Sequence, residues 1–248
     1  VGSEMCIRDR PIQLEAITDQ GLNIDELDSL VESGLARQAD SDTYDVHDLI
    51  REFLLQSLDT QAKEELHNKA VVWYEKQPSS SQISLELIYH LISSSRHEDA
   101  TSIIIDEGRD LVKEGHIELL GLLESIDTKS VNAEGACRID RLRGEVLALL
   151  GRFDEAEEAF NQARPPAEAA GLKDVIADIL SNLADIALKR GDSESSLGMH
   201  RKALELFIEL KDAVGAARSY NNMGYILRRS GDNTKALDAY SEVESILS

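Results

Sequence analysis

GEVLALLGRFDEAEEAFNQA, residues 144–163, is echoed twice downstream, as ADIALKRGDSESSLGMHRKA at 184–203 and GYILRRSGDNTKALDAYSEV at 224–243. The three strings align without gaps at an interval of 40 residues. Each opens on a small residue (Gly144, Ala184, Gly224) and reaches a glycine (Gly151, Gly191, Gly231) seven positions later. Then come Ala156, Ser196 and Ala236, a ring at Phe160, His200 and Tyr240, and finally Ala163, Ala203 and Val243. Self-similarity at such a period marks a repeat array, whose units bury their apolar faces only by stacking on one another. Each unit reads as a helix ending just before the frame glycine and a second helix carrying the Ala and aromatic positions. Small residues are expected where the two helices touch and bulky ones between neighbouring units. The glycine relaxes the tight turn between them.

Small, Gly, Ala, aromatic, Ala, in that order, resembles the tetratricopeptide repeat. The resemblance implies an α-α superhelix whose groove binds proteins or peptides. The usual unit has about 34 residues, so the longer period here implies helices extended by about three residues each. Ser196, His200 and Val243 depart from the pattern. Three repeats are assigned to 137–248, at 137–176, 177–216 and 217–248, with the last cut short inside its second helix. Pro165-Pro166 is expected to end or kink the second helix of the first unit.

Residues 11–60 follow another pattern. Ile24, Leu27, Leu30 and Val31 share one helical face after Asn23, and Ser33-Gly34 closes that helix. Leu35–Gln38 and Thr43–Val46, joined by the polar turn Ala39–Asp42, form a hairpin pattern. A further helix begins near Asp48, with Leu49, Ile50, Phe53, Leu54 and Leu58 apolar, and Pro11–Ile17 supplies an earlier one. Helix, hairpin, helix over this length resembles a winged-helix domain. Residues 61–132 read as a helical linker or degenerate repeats, because Ser95, Ala100 and Ile104 reproduce the later five- and four-residue steps. The expected class is therefore mainly α: a small winged helix followed by an α-α repeat superhelix. Residues 1–10 resemble a translated sequencing-adapter leader and are set aside, together with Cys6.

Composition narrows the function. With 47 acidic against 26 basic residues the formal net charge is −21, which disfavours nucleic acid and anionic membranes as partners. Within 11–58, eleven acidic residues face only Arg37 and Arg51, too little positive charge for a DNA-reading winged helix. No apolar run approaches the roughly 18 residues needed to span a bilayer. Cys6 and Cys137 form no framework, which fits a reducing cytosol and a cytoplasmic protein.

No GxxxxGK[ST], HExxH or GxSxG string occurs, so neither an enzyme nor a metal site is expected in this chain, and no cofactor either. His47-Asp48 is the sharpest local signal. With Val46 before it, it resembles the Met-His-Asp motif of STAND ATPases, a family of regulatory signalling ATPases. That resemblance implies that His47 reaches the β-phosphate of ADP when the parent's ATPase module is present, and that Asp48 caps the following helix. It also implies an ADP- or ATP-binding parent of which this chain is a C-terminal fragment, cut at both ends. The ATPase module would then be one partner.

The repeats offer a second candidate site. Arg218, Asn221, Asn222, Tyr225 and Arg228, with Arg229, recur along one helix, and Asn182 precedes Asn222 by one repeat. In tetratricopeptide repeats such a stripe lines the groove, where asparagines hold a peptide backbone and arginines meet carboxylates. The bland alternative is a solvated face with Arg228-Arg229 favouring the helix C-terminus. Two other readings compete with the STAND fragment. One is a free-standing adaptor that binds peptides; the other is a transcriptional regulator with a winged-helix DNA-binding domain.

Overall fold

A computed structural model of the chain describes residues 31–34, 36–40, 43–46 and 58–247. Two compact units emerge, one of residues 1–107 with 124–127 and one of 108–123 with 128–248.

In the first unit, strands β1 (Ala36–Asp40) and β2 (Thr43–Val46) pair antiparallel, with Ala36 opposite Val46 and Arg37 opposite Asp45. The register shifts between Gln38 and Asp40. The first strand thus starts and ends later than the Leu35–Gln38 read from sequence. Ala39 and Asp40 belong to it although their types suggest a turn, because the ladder is made by backbone groups. Gly34, at φ +72°, donates its N–H to Val31 O ahead of the strand. Residues 1–30 and 48–57 lie outside the described residues, as does His47. The leader, the other helices of the expected winged helix, and the His47-Asp48 pair all fall there, so the all-helical repeat portion is the established part of the fold.

Helices α1 (Thr60–Tyr74), α2 (Ser81–Ser93) and α3 (His97–Lys113) follow. Asp59 and Ser80 start the first two by accepting from the N–H groups of Ala62 and Ile83, satisfying donors the helix itself leaves open. Ser95, between α2 and α3, has φ +61°. It occupies the place of a frame glycine, and Ala100 and Ile104 beyond it are fully buried. The pair α2–α3 is therefore built like the later repeats. Between α1 and α2, His67 Nδ1 and His90 Nδ1 stand 2.8 Å apart, with the Tyr74 ring stacked on His90.

The second unit takes in the end of α3 and then three helix pairs, reached through α4 (Leu119–Ser125). They are α5 (Ala133–Leu149) with α6 (Phe153–Ala170), α7 (Lys173–Lys189) with α8 (Ser193–Glu209), and α9 (Ala213–Arg229) with α10 (Asn233–Leu247). First helices begin at 133, 173 and 213, four residues before the boundaries read from sequence. Polar caps set the start in two of them: Asn132 and Asp212 accept from the N–H groups of Gly135 and Gly215. These caps precede the first frame position of each repeat and leave no apolar signal.

The frame residues explain themselves in the packing. Gly151, Gly191 and Gly231 have φ of +76°, +87° and +88°, a left-handed region that a side chain enters only with strain. A Cβ on Gly144 would lie 2.5 Å from the Phe160 ring, and one on Gly224 would lie 2.7 Å from Tyr240. Ring and missing methyl are one device: they bring the two helices of a unit together. Phe160 is fully buried, and truncating such a ring costs about 3–5 kcal/mol.

One expectation is corrected. Helix α6 continues through Pro165 and Pro166 to Ala170 and ends on Gly171 in a left-handed cap. The prolines remove two amide donors, freeing the carbonyls of Asn161 and Gln162. Those residues and both prolines are exposed, while Ala163 and Ala167 on the opposite face are buried. The freed carbonyls belong to this exposed face, and the buried alanines on the other hold the helix. Among the described residues, no helix is long and apolar enough to cross a membrane.

Candidate functional site

The first helices of the pairs, together with the end of α3, line a cleft of about 390 Å³ in the second unit. Its floor is an ionic cluster. Asp178 of α7, only 5% exposed, pairs with Arg109 of α3, with Arg141 of α5 at 3.7 Å and with Arg218 of α9 at 3.5 Å. Arg141, equally buried, donates to Glu145 at 2.6 Å. A carboxylate this deep holds its charge only with cations around it. Burial, followed by the charge of neighbouring Arg141, lowers the pKa of Arg109. Arg109 and Arg218 remain about half exposed on their cleft sides, and the Arg218 guanidinium also rests 5.7 Å above the Phe207 ring.

A second, periodic set of contacts runs between neighbouring first helices. Asn182 Nδ2 donates to Glu145 at 3.2 Å, and Asn222 Nδ2 donates to Asp185 at 3.0 Å; both pairs span 37 residues. Asn182 Nδ2 also donates to Asp178 O at 2.9 Å, which employs both amide hydrogens. These asparagines, expected to grip a ligand backbone, join one repeat to the next. Along the rim, Leu149, Phe153, Ile186 and Val214 supply an apolar border, with Leu149 and Val214 exposed by 55% and 74%.

Of the six groove residues read from sequence, Asn182 and Arg218 line the cleft and Asn222 reaches it through Asp185. Asn221 is exposed. Tyr225 carries Arg228 and Arg229 over its ring at 5.8 and 5.7 Å, forming a surface cluster apart from the cleft lining. Arg109, Arg141 and Glu145 were missed, and with them the cluster they form around Asp178. Their one sequence signal is periodic: Asp178 occupies the position of Arg138 and Arg218, one repeat on either side. His47 and Asp48 lie outside the described residues. Among those described, no cluster of three or more His, Cys, Asp or Glu side chains is arranged to hold a metal ion.

Behind the cleft sits an anomaly. His200 of α8 fills the ring position of the second repeat and is fully buried, yet neither ring nitrogen has a hydrogen-bond partner. Its Nε2 lies 3.3 Å from Asp185 Oδ1, within electrostatic reach but out of line for a hydrogen bond.

Comparison with known proteins supports the repeat architecture. The tetratricopeptide repeat family model matches residues 175–248. Aspartyl phosphate phosphatase F from Bacillus subtilis has a similar fold, with 14% identity and a TM-score of 0.58 over 89% of this chain and 60% of that one. A Signal Transduction ATPase with Numerous Domains (STAND) protein with a tetratricopeptide repeat sensor, from Pyrococcus horikoshii, aligns with 94% of this chain at 15% identity and a TM-score of 0.48. BtubC from P. vanneervenii aligns with 80% of this chain and 77% of its own, at 17% identity and a TM-score of 0.45. The chain spans 41% of the length of the Pyrococcus protein. Among curated proteins, none gives a significant match.

Proposed function

We propose that this chain is a non-catalytic, protein-binding sensor region of a STAND-type signalling ATPase, and that it captures a peptide segment in the cleft formed by α3, α5, α7 and α9. The cleft is the observation that carries the binding half of this reading. Its arginines are held in place by Asp178 before any ligand arrives, so they lose little freedom on binding. Its rim offers exposed apolar side chains beside the charged floor, the mixture that peptide sites use.

The STAND half rests on the order of features along the chain. A hairpin leads into His47-Asp48, helical residues follow, and tetratricopeptide repeats come last. By that resemblance His47 donates to an ADP phosphate from a module preceding Pro11, holding a resting state that a signal at the repeats releases. Imidazole suits this task because it donates to phosphate without a fixed full charge. The test is the nucleotide content of the parent protein purified intact. The reading expects a P-loop upstream of Pro11 and co-purifying ADP that is lost on His47→Ala. A parent without a P-loop, or ADP retention indifferent to that substitution, contradicts it.

A further inference from the structure

We infer that Asp185 is a receptor for a basic group, so that the peptide segment filling the cleft carries a lysine or arginine side chain next to an apolar one. This rests on the cleft being a peptide site, and it adds a charge preference opposite to the one its arginines suggest.

Four carboxylates line the cleft: Glu145, Asp178, Asp185 and Asp212. Three are already engaged. Asp178 holds its three arginines, Glu145 pairs with Arg141, and Asp212 caps α9 through Gly215 N–H at 2.9 Å. Asp185 differs from all of them. Among the described residues no lysine or arginine pairs with it, and its side chain is 43% exposed. Asn222 donates to Oδ1 and His200 faces that same oxygen, while Oδ2 has no hydrogen bond among the described residues. Nearby cations are committed elsewhere: Arg109 and Arg218 to Asp178, Lys113 to Asp110, and Lys189 over the Phe153 ring.

His200 makes this a built site. Neighbouring repeats place Phe160 and Tyr240 at its position, where a hydrocarbon ring suffices. Here a polar ring without a hydrogen bond stands fully buried directly behind the carboxylate. Its Nε2 and the Asn222 amide both stand at Oδ1, which leaves Oδ2 as the oxygen open to a ligand. A cation arriving there meets a carboxylate that Asn222 holds and no described lysine or arginine pairs with, the condition under which an ion pair adds to binding and sets register. The net charge of −21 adds a long-range attraction for basic segments. Leu149 and Val214 on the rim then receive the adjacent apolar residue.

The test is selection of a phage-displayed random-peptide library on the intact chain, followed by affinity measurement on the consensus peptide. We expect lysine or arginine at one position beside an apolar residue. Asp185→Asn should weaken that peptide about tenfold, and replacing its basic residue with norleucine should cost the same factor against the native chain and nothing more against the variant. Selected peptides without a basic residue, or a norleucine penalty equal in both proteins, overturn the inference. Basic-free peptides that are lost on Arg218→Ala overturn it while leaving the cleft as a peptide site. Failure to select any peptide overturns both.

Discussion

Lys211 and Gly171 occupy the same turn between successive repeats, at φ +58° and +69°. Glycine enters that region freely, whereas a residue with a Cβ is held there against its preference by about 1 kcal/mol. Lys211→Gly should therefore raise stability by about 1 kcal/mol in urea denaturation, and Gly171→Ala should lower it by a similar amount. A destabilised Lys211→Gly variant would show that the lysine side chain matters more than its backbone. The His67–His90 pair predicts a pH effect. One Nδ1 must donate and the other accept, so the contact is lost once both rings are protonated. Burial, with the neighbouring His67 second, pushes His90 down to about 4, and burial lowers His67 as well. An unfolded histidine takes its proton near pH 6.5, so the unfolded chain binds protons first on acidification. The contribution of neutral His90 is full above that value and is lost as pH falls towards 4, roughly 3 kcal/mol. Helices α1 and α2 should loosen in this window by circular dichroism, and His90→Phe should flatten the response. Constant stability between pH 7 and 4 would contradict the buried pair.

Ring size and methyl count are matched within each helix pair. Gly144 faces Phe160 and Gly224 faces Tyr240, both too close for a methyl group. The middle repeat has Ala184 at that position and the smaller imidazole of His200 to meet it. His200→Phe alone should overpack the pair and cost about 1–3 kcal/mol. Adding Ala184→Gly should recover most of the loss, a non-additivity that thermal melts of the two single variants and the double variant would measure. Full additivity would mean that the residues do not pack together. This match was legible in the sequence, because a spacing of 40 residues makes each unit a control for the others. The helix starts were less legible, since Asn132 and Asp212 act through hydrogen bonds that leave no apolar period. Pro165-Pro166 misled for a related reason: local rules count the lost amides and cannot see that the freed carbonyls belong to the exposed face.

At the scale of the repeat unit, Asp178 joins α3, α5, α7 and α9 through three arginines. Repeat arrays draw their cooperativity from such neighbour contacts. Asp178→Ala should cost about 3 kcal/mol by stranding buried positive charge and broaden the denaturation transition. A sharp, unshifted transition would show that the cluster is dispensable. The cluster was invisible in the sequence, where Asp178 is one acid among 47. The asparagine ladder was equally hidden, because its partners stand 37 residues apart rather than one full period, one helical turn being about 3.6 residues. Sequence thus yielded the array and part of the stripe, and missed which polar groups the array uses to hold itself together. Amide hydrogen exchange on the intact chain, with and without a saturating selected peptide, shows whether the cleft between the first helices receives a peptide segment. A peptide in the cleft predicts slowed exchange in the helices that line it, α7 and α9 around Asn182, Asp185 and Arg218 above all; protection restricted to α8 and α10, with the cleft helices unchanged, would contradict it.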